Sequence, residues 1–88
     1  MISRSATVVN SLGLHARAAA RFVRLAGSFK SRIQVARGQR TTDGKSILGL
    51  LLLAAARGSE LVITADGPDE ELAVQQLTDF AARGFEDP

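Results

Sequence analysis

His15 is the only histidine in the chain, and it stands in the stretch Asn10-Ser11-Leu12-Gly13-Leu14-His15-Ala16-Arg17. A neutral imidazole is a competent nucleophile near pH 7. Gly13 lets the backbone turn sharply just before it. A helical pattern begins directly afterwards, so the histidine sits at a helix N-terminus. Backbone N–H groups there lack helical partners and bind phosphate oxygens. Arg17 adds a planar cationic fork suited to the same oxygens. The combination points to a histidine that accepts a phosphoryl group and passes it on. The plainer alternative is a helix-start histidine that bonds a loop carbonyl, and Gly13 and Arg17 weigh against it.

The elements that must position this residue follow from periodicity. Residues 2–9 contain the β-prone Ala6-Thr7-Val8-Val9 and read as a strand that ends at Asn10-Ser11. Residues 10–15 form a loop. From Ala16 to Ala26 the pattern is helical, with Ala19, Phe22, Val23 and Ala26 on a buried stripe and Gly27 as the stop. Arg17, Arg21 and Arg24 share another face of that helix. Residues 31–37 alternate, so they form a strand with Ile33 and Val35 inward; Gly38-Gln39 turns into a short partner, Arg40-Thr41-Thr42. Ser46 caps a second helix from Ile47 to Leu53, with an Ala-rich extension to Arg57 that Gly58 would end. Glu60 to Ala65 is the clearest strand. After the turn Asp66-Gly67-Pro68, Asp69 caps a third helix whose core stripe is Ala73, Val74, Leu77 and Phe80. Arg83 and Gly84 close it, and Phe85 to Pro88 are expected to fray. The order β-α-β-β-α-β-α indicates α+β architecture: an open-faced sandwich of a four-stranded antiparallel sheet with three helices on one face.

Composition narrows the function classes. Eighty-eight residues, 45% of them hydrophobic, read as one domain spanning 1–88. The chain has no cysteine and one histidine, so neither a disulfide framework nor a metal site is expected, and no cofactor is implied. No signal peptide is visible, and the apolar run Ile47–Ala56 is about half the ~20 residues that span a bilayer. A cytoplasmic protein without membrane insertion, acting as a monomer, is the expectation. Net charge is +2, but ten of eleven basic residues lie at or before Arg57 and eight of nine acidic ones at or after Glu60. One cationic face follows, suited to phosphate or an acidic protein. Nucleic acid fits less well, because the chain lacks tyrosine, tryptophan and any dense basic run. Gly44-Lys45-Ser46 imitates the end of a P-loop, but Gln39 stands where its first glycine belongs.

The second helix is unusual. From Ile47 to Ala56 it carries no charge, whereas a surface helix normally buries one stripe. Leu50 and Leu53 can face the core. Ile47, Leu48 and Leu51 then fall elsewhere, either covered by other elements or exposed as an apolar docking patch. Arg17, Arg21, Arg24 and Lys45 could ring such a patch.

Gly13-Leu14-His15-Ala16-Arg17 resembles the active-site motif of the HPr family, the histidine phosphocarriers of the phosphoenolpyruvate-dependent phosphotransferase system. Gly44-Lys45-Ser46-Ile47-Leu48-Gly49-Leu50 resembles its second motif, and Gly67-Pro68-Asp69-Glu70 the turn into its last helix. The resemblance implies a phosphoryl carrier of sugar transport, not an enzyme with its own turnover. His15 would be phosphorylated on Nδ1 by phospho-enzyme I and would hand the group to enzyme IIA, with Arg17 steadying the phosphoryl oxygens. Ser46 would be a regulatory phosphorylation site for a serine kinase/phosphorylase. Arg21, Arg24, Lys45, Ile47, Leu48 and Leu51 would form the docking surface. The family usually has proline where Ala18 stands, a departure that leaves open a nitrogen-related branch or a regulatory docking module.

Overall fold

The computed structural model describes Met1 to Glu86. Strands β1 (Ile2–Thr7), β2 (Arg32–Arg37), β3 (Arg40–Asp43) and β4 (Glu60–Asp66) form one sheet in the order β1-β4-β2-β3. All three pairings are antiparallel, with Ala6 opposite Leu61, Val35 opposite Ile63 and Val35 opposite Thr42. Helices α1 (Ala16–Ala26), α2 (Ile47–Leu52) and α3 (Glu70–Ala82) cover one face. The expected α+β order is therefore observed.

The period of two decides which face is which. Ala6, Ile33, Val35, Leu61, Ile63 and Ala65 point into the core. Ser3, Ser5 and Gln34 stay exposed on the other face, where the Ser3 and Thr64 hydroxyls lie 2.7 Å apart. Helix α1 buries Ala18, Ala19, Phe22 and Ala26. Ala18 thus joins the expected stripe, while Val23 packs only partly buried against the core.

Four expectations need correction. The first strand stops at Thr7 in the sheet, although Val8 still exchanges backbone bonds with Ser59 (2.9 Å) and Gly58 (2.8 Å). Helix α2 ends at Leu52, short of Leu53 and well short of Arg57. Ala54 adopts φ +53°, which breaks the helical path. The open carbonyls of Leu52 and Leu53 are taken by the guanidinium groups of Arg40 and Arg37, each at 3.0 Å.

Asp69 does not cap α3 with its side chain. Its carboxylate instead accepts from the backbone N–H groups of Lys30 and Ser31, at 2.8 and 2.9 Å, and from the Ser31 hydroxyl. It clasps the segment after α1 to the start of α3. Glu70 supplies the turn chemistry: its Oε1 accepts from Gly67 N–H at 3.1 Å, and its own N–H donates to the Gly67 carbonyl.

The chain after α3 does not fray at Phe85. A short 3-10 turn over Gly84–Glu86 drives that ring fully into the core. It meets Phe22 and Phe80 edge-on, at centroid distances of 6.4 and 5.9 Å. Phe85 has φ +57°, which costs a residue with a Cβ about 1–2 kcal/mol. Burying a phenyl ring contributes about 1.5–3 kcal/mol, so the ring wins. Asp87 and Pro88 lie outside the described residues.

Two outcomes follow. Phe85→Ala should lower unfolding free energy by about 3–5 kcal/mol, read from urea titration; a change under 1 kcal/mol would show that the ring is not a core residue. The Ser31 hydroxyl, with the Lys30 N–H next in weight, holds the Asp69 carboxyl below its ordinary value of 3.8. Its stabilising contribution is therefore complete above that value and lost as pH falls through the lower folded value. Asp69→Ala should melt earlier than wild type at pH 7, and the gap should shrink steadily below about pH 4. A gap independent of pH would disprove the clasp.

Candidate functional site

The loop before α1 is built from backbone contacts. Gly13 has φ +67°, and a Cβ there would collide with the Ala55 carbonyl oxygen. Only glycine allows this approach. Leu14 N–H donates to the same Ala55 oxygen at 2.9 Å, and the Leu14 side chain is buried. Asn10 closes the loop from the other side. Its carbonyl accepts from Gly13 N–H at 3.1 Å, and its Nδ2 donates to the Gly13 carbonyl at 2.8 Å.

His15 is the N-cap residue of α1, with extended backbone at φ −81° and ψ −179°. Its carbonyl accepts the first helical bond, from Ala19 N–H at 2.8 Å. Its imidazole makes no capping bond to the helix. The side chain is half-buried. Arg17 is exposed in the first turn. Ala18 is fully buried, and its N–H precedes the first rung of the helical ladder. Alanine in place of proline therefore changes no helical bond at the site.

Helices α1 and α2 run antiparallel. The segment after α2 meets the loop before α1 through Ala55, and the residues before α2 meet the end of α1, where Lys45 Nζ donates to the Phe29 carbonyl at 2.9 Å. Lys45, next to Ser46, thus ties the start of α2 to the segment that follows α1. Ser46 Oγ accepts from Gly49 N–H at 3.0 Å, as its expected cap role requires. Gly49 lets α2 lie against β3, since a Cβ there would strike the Thr42 side chain.

The apolar residues of α2 divide as the periodicity predicted. Leu50 and Leu53 are buried, while Ile47, Leu48 and Leu51 are exposed. Leu52 is also exposed, at 62%, and so is Leu12 in the histidine loop, at 65%. Neither belongs to the expected docking patch, and a single loop leucine such as Leu12 carries no period. Arg21 donates to the Phe85 and Glu86 carbonyls at 3.4 and 3.0 Å. Arg21 and Arg24 line a groove of about 670 Å³ between α1 and α3, shared with Asp79, Phe80 and Arg83. Among the described residues there is no cluster suited to a metal ion. None of the described helices is long and apolar enough to cross a membrane.

Known proteins share this arrangement. A family model described as "PTS HPr component phosphorylation site" matches residues 2–83. The phosphocarrier protein HPr of Cupriavidus necator is 45% identical over 85 residues, covering 97% of this chain and 96% of that one. HPr of Neisseria meningitidis is 44% identical over 80 residues, covering 91% and 90%. The crystal structure of HPr-C-His from Thermoanaerobacter tengcongensis superposes with a TM-score of 0.94 at 35% identity, covering 100% of this chain and 99% of that one. With its sheet order, its histidine at the head of α1 and its full-length match, the chain belongs to the HPr family of phosphocarrier proteins.

Proposed function

We propose that this protein carries a phosphoryl group on His15 between phospho-enzyme I and an enzyme IIA of the phosphotransferase system. The observation that carries the reading is the placement of His15: it is half-buried as the N-cap residue at the head of α1, with Arg17 exposed in the first turn. In the forward step the Nδ1 lone pair attacks phosphorus, an N–P bond forms, and the bond to the donor breaks. The second step reverses this toward the acceptor, so the protein is regenerated and acts as a carrier, without turnover of its own. First-turn N–H groups and the Arg17 guanidinium stabilise the transferring oxygens.

Docking rests on Ile47, Leu48 and Leu51, joined by Leu12 and Leu52, which are exposed on the segments flanking the site. Lys45 lies at the far margin of α2, and Arg21 and Arg24 belong to the α1–α3 side. Ser46, at the head of α2, serves as a regulatory site that acts on docking rather than on the chemistry. A phosphate there adds about two negative charges to the partner-binding surface.

Incubation with enzyme I and phosphoenolpyruvate should give an acid-labile phosphohistidine on wild type and none on His15→Ala. Equal labelling of the variant would overturn the reading. Arg17→Ala should slow transfer by about tenfold or more. Ser46→Asp keeps a competent N-cap, so its effect reads charge. It should raise KM for phospho-enzyme I several-fold while leaving kcat unchanged, and added salt should narrow the difference. A fall in kcat at constant KM would place Ser46 in the chemistry instead.

A further inference from the structure

We infer that Asn10 is a positioning residue for His15, acting through one shared acceptor, the Gly13 carbonyl. That oxygen receives the Asn10 side-chain N–H at 2.8 Å and the His15 backbone N–H at 2.9 Å. The peptide that aims the imidazole is therefore fixed by a bond from Asn10. Asn10 is 4% exposed, and its side-chain oxygen has no hydrogen-bond partner among the described residues. A buried amide with one end unsatisfied is a net expense to stability. An apolar side chain would fill the place at less cost, so the surviving donor is what the position provides.

The far side of Asn10 is set by the last turn of the chain. Gly84, at φ +67°, lies so close that a Cβ would come within 3.2 Å of the Asn10 Cβ. The next residue is the core-bound Phe85. The turn that carries Phe85 into the core thus passes close by Asn10, with room there for glycine only, and Asn10 holds the carbonyl that accepts from His15 N–H. The step from Asn10 to His15 is local; the step from Gly84 to Asn10 spans nearly the whole chain.

The functional half of this inference rests on the carrier reading, but the positioning itself can be read without phosphate. Asn10→Leu keeps the branched heavy-atom skeleton, removes the donor and also removes the unsatisfied oxygen. Amide hydrogen exchange of the otherwise unmodified protein should show His15 N–H exchanging about five- to tenfold faster than in wild type, the factor expected for losing a bond of about 1 kcal/mol. Core amides such as Ile63 and Leu77 should keep their rates. Asn10→Ala should give the same local change, with some added global loss. If His15 exchange is unchanged, or rises only in step with Ile63 and Leu77, Asn10 is merely structural and the inference fails. With phospho-enzyme I, kcat should fall at constant KM in Asn10→Leu. Unaltered kcat alongside loosened His15 exchange would overturn the catalytic consequence while leaving the carrier reading intact.

Discussion

The closeness of two backbones holds this site together. Gly13 lies against the Ala55 carbonyl where no side chain fits, and Leu14 N–H bonds the same oxygen. Much of the neighbouring structure can be derived from that contact. Ala55 must be an extended, reachable acceptor, so the helix before it has to stop. Ala54 turns left-handed, and two arginines from the β2–β3 hairpin take the carbonyls that the interrupted helix leaves open. The hairpin, the short second helix and the histidine loop are thus parts of one backbone arrangement. A residue larger than glycine at position 13 would have to break it at its centre.

That arrangement also separates tasks in space. The segment after α2 meets the histidine loop through Ala55, while Lys45, next to Ser46, reaches the Phe29 carbonyl beyond the end of α1. Between them lies an exposed stretch of leucine and isoleucine. The arginines of α1 divide as well. Arg17 stays at the head of the helix, while Arg21 reaches the carbonyls of the last turn.

The sequence made visible what depends on near neighbours. Alternation in residues 31–37 and 60–65 exposed two strands, and the three-then-four spacing of Ala19, Phe22 and Ala26 exposed a helix and its inner face. The motif around His15 marked the candidate nucleophile, because glycine, histidine and arginine stand there within five residues. What escaped notice depends on partners far along the chain. Asp69 looks like a cap from its neighbours, but its three donors come from Lys30 and Ser31. The carbonyls left open at the end of α2 are met by Arg37 and Arg40, many residues earlier in the chain. Phe85 follows a glycine among polar and charged residues and reads as a tail until Phe22 and Phe80 are seen to leave room for it. Asn10 looked like a strand terminator, and nothing local reveals Gly84 behind it.

The second helix has six residues. A segment that short does not hold helical form alone in water, where isolated helices below about 12–15 residues are marginal. It exists because Ser46 closes one end, hairpin arginines close the other, and Gly49 seats it on the sheet. Its outward leucines keep their mutual spacing only while sheet, hairpin and histidine loop are all in place. A partner that recognises this surface is therefore also testing whether the rest of the molecule has folded. Partly folded copies, and peptides cut from this region, fail that test without any separate proofreading step.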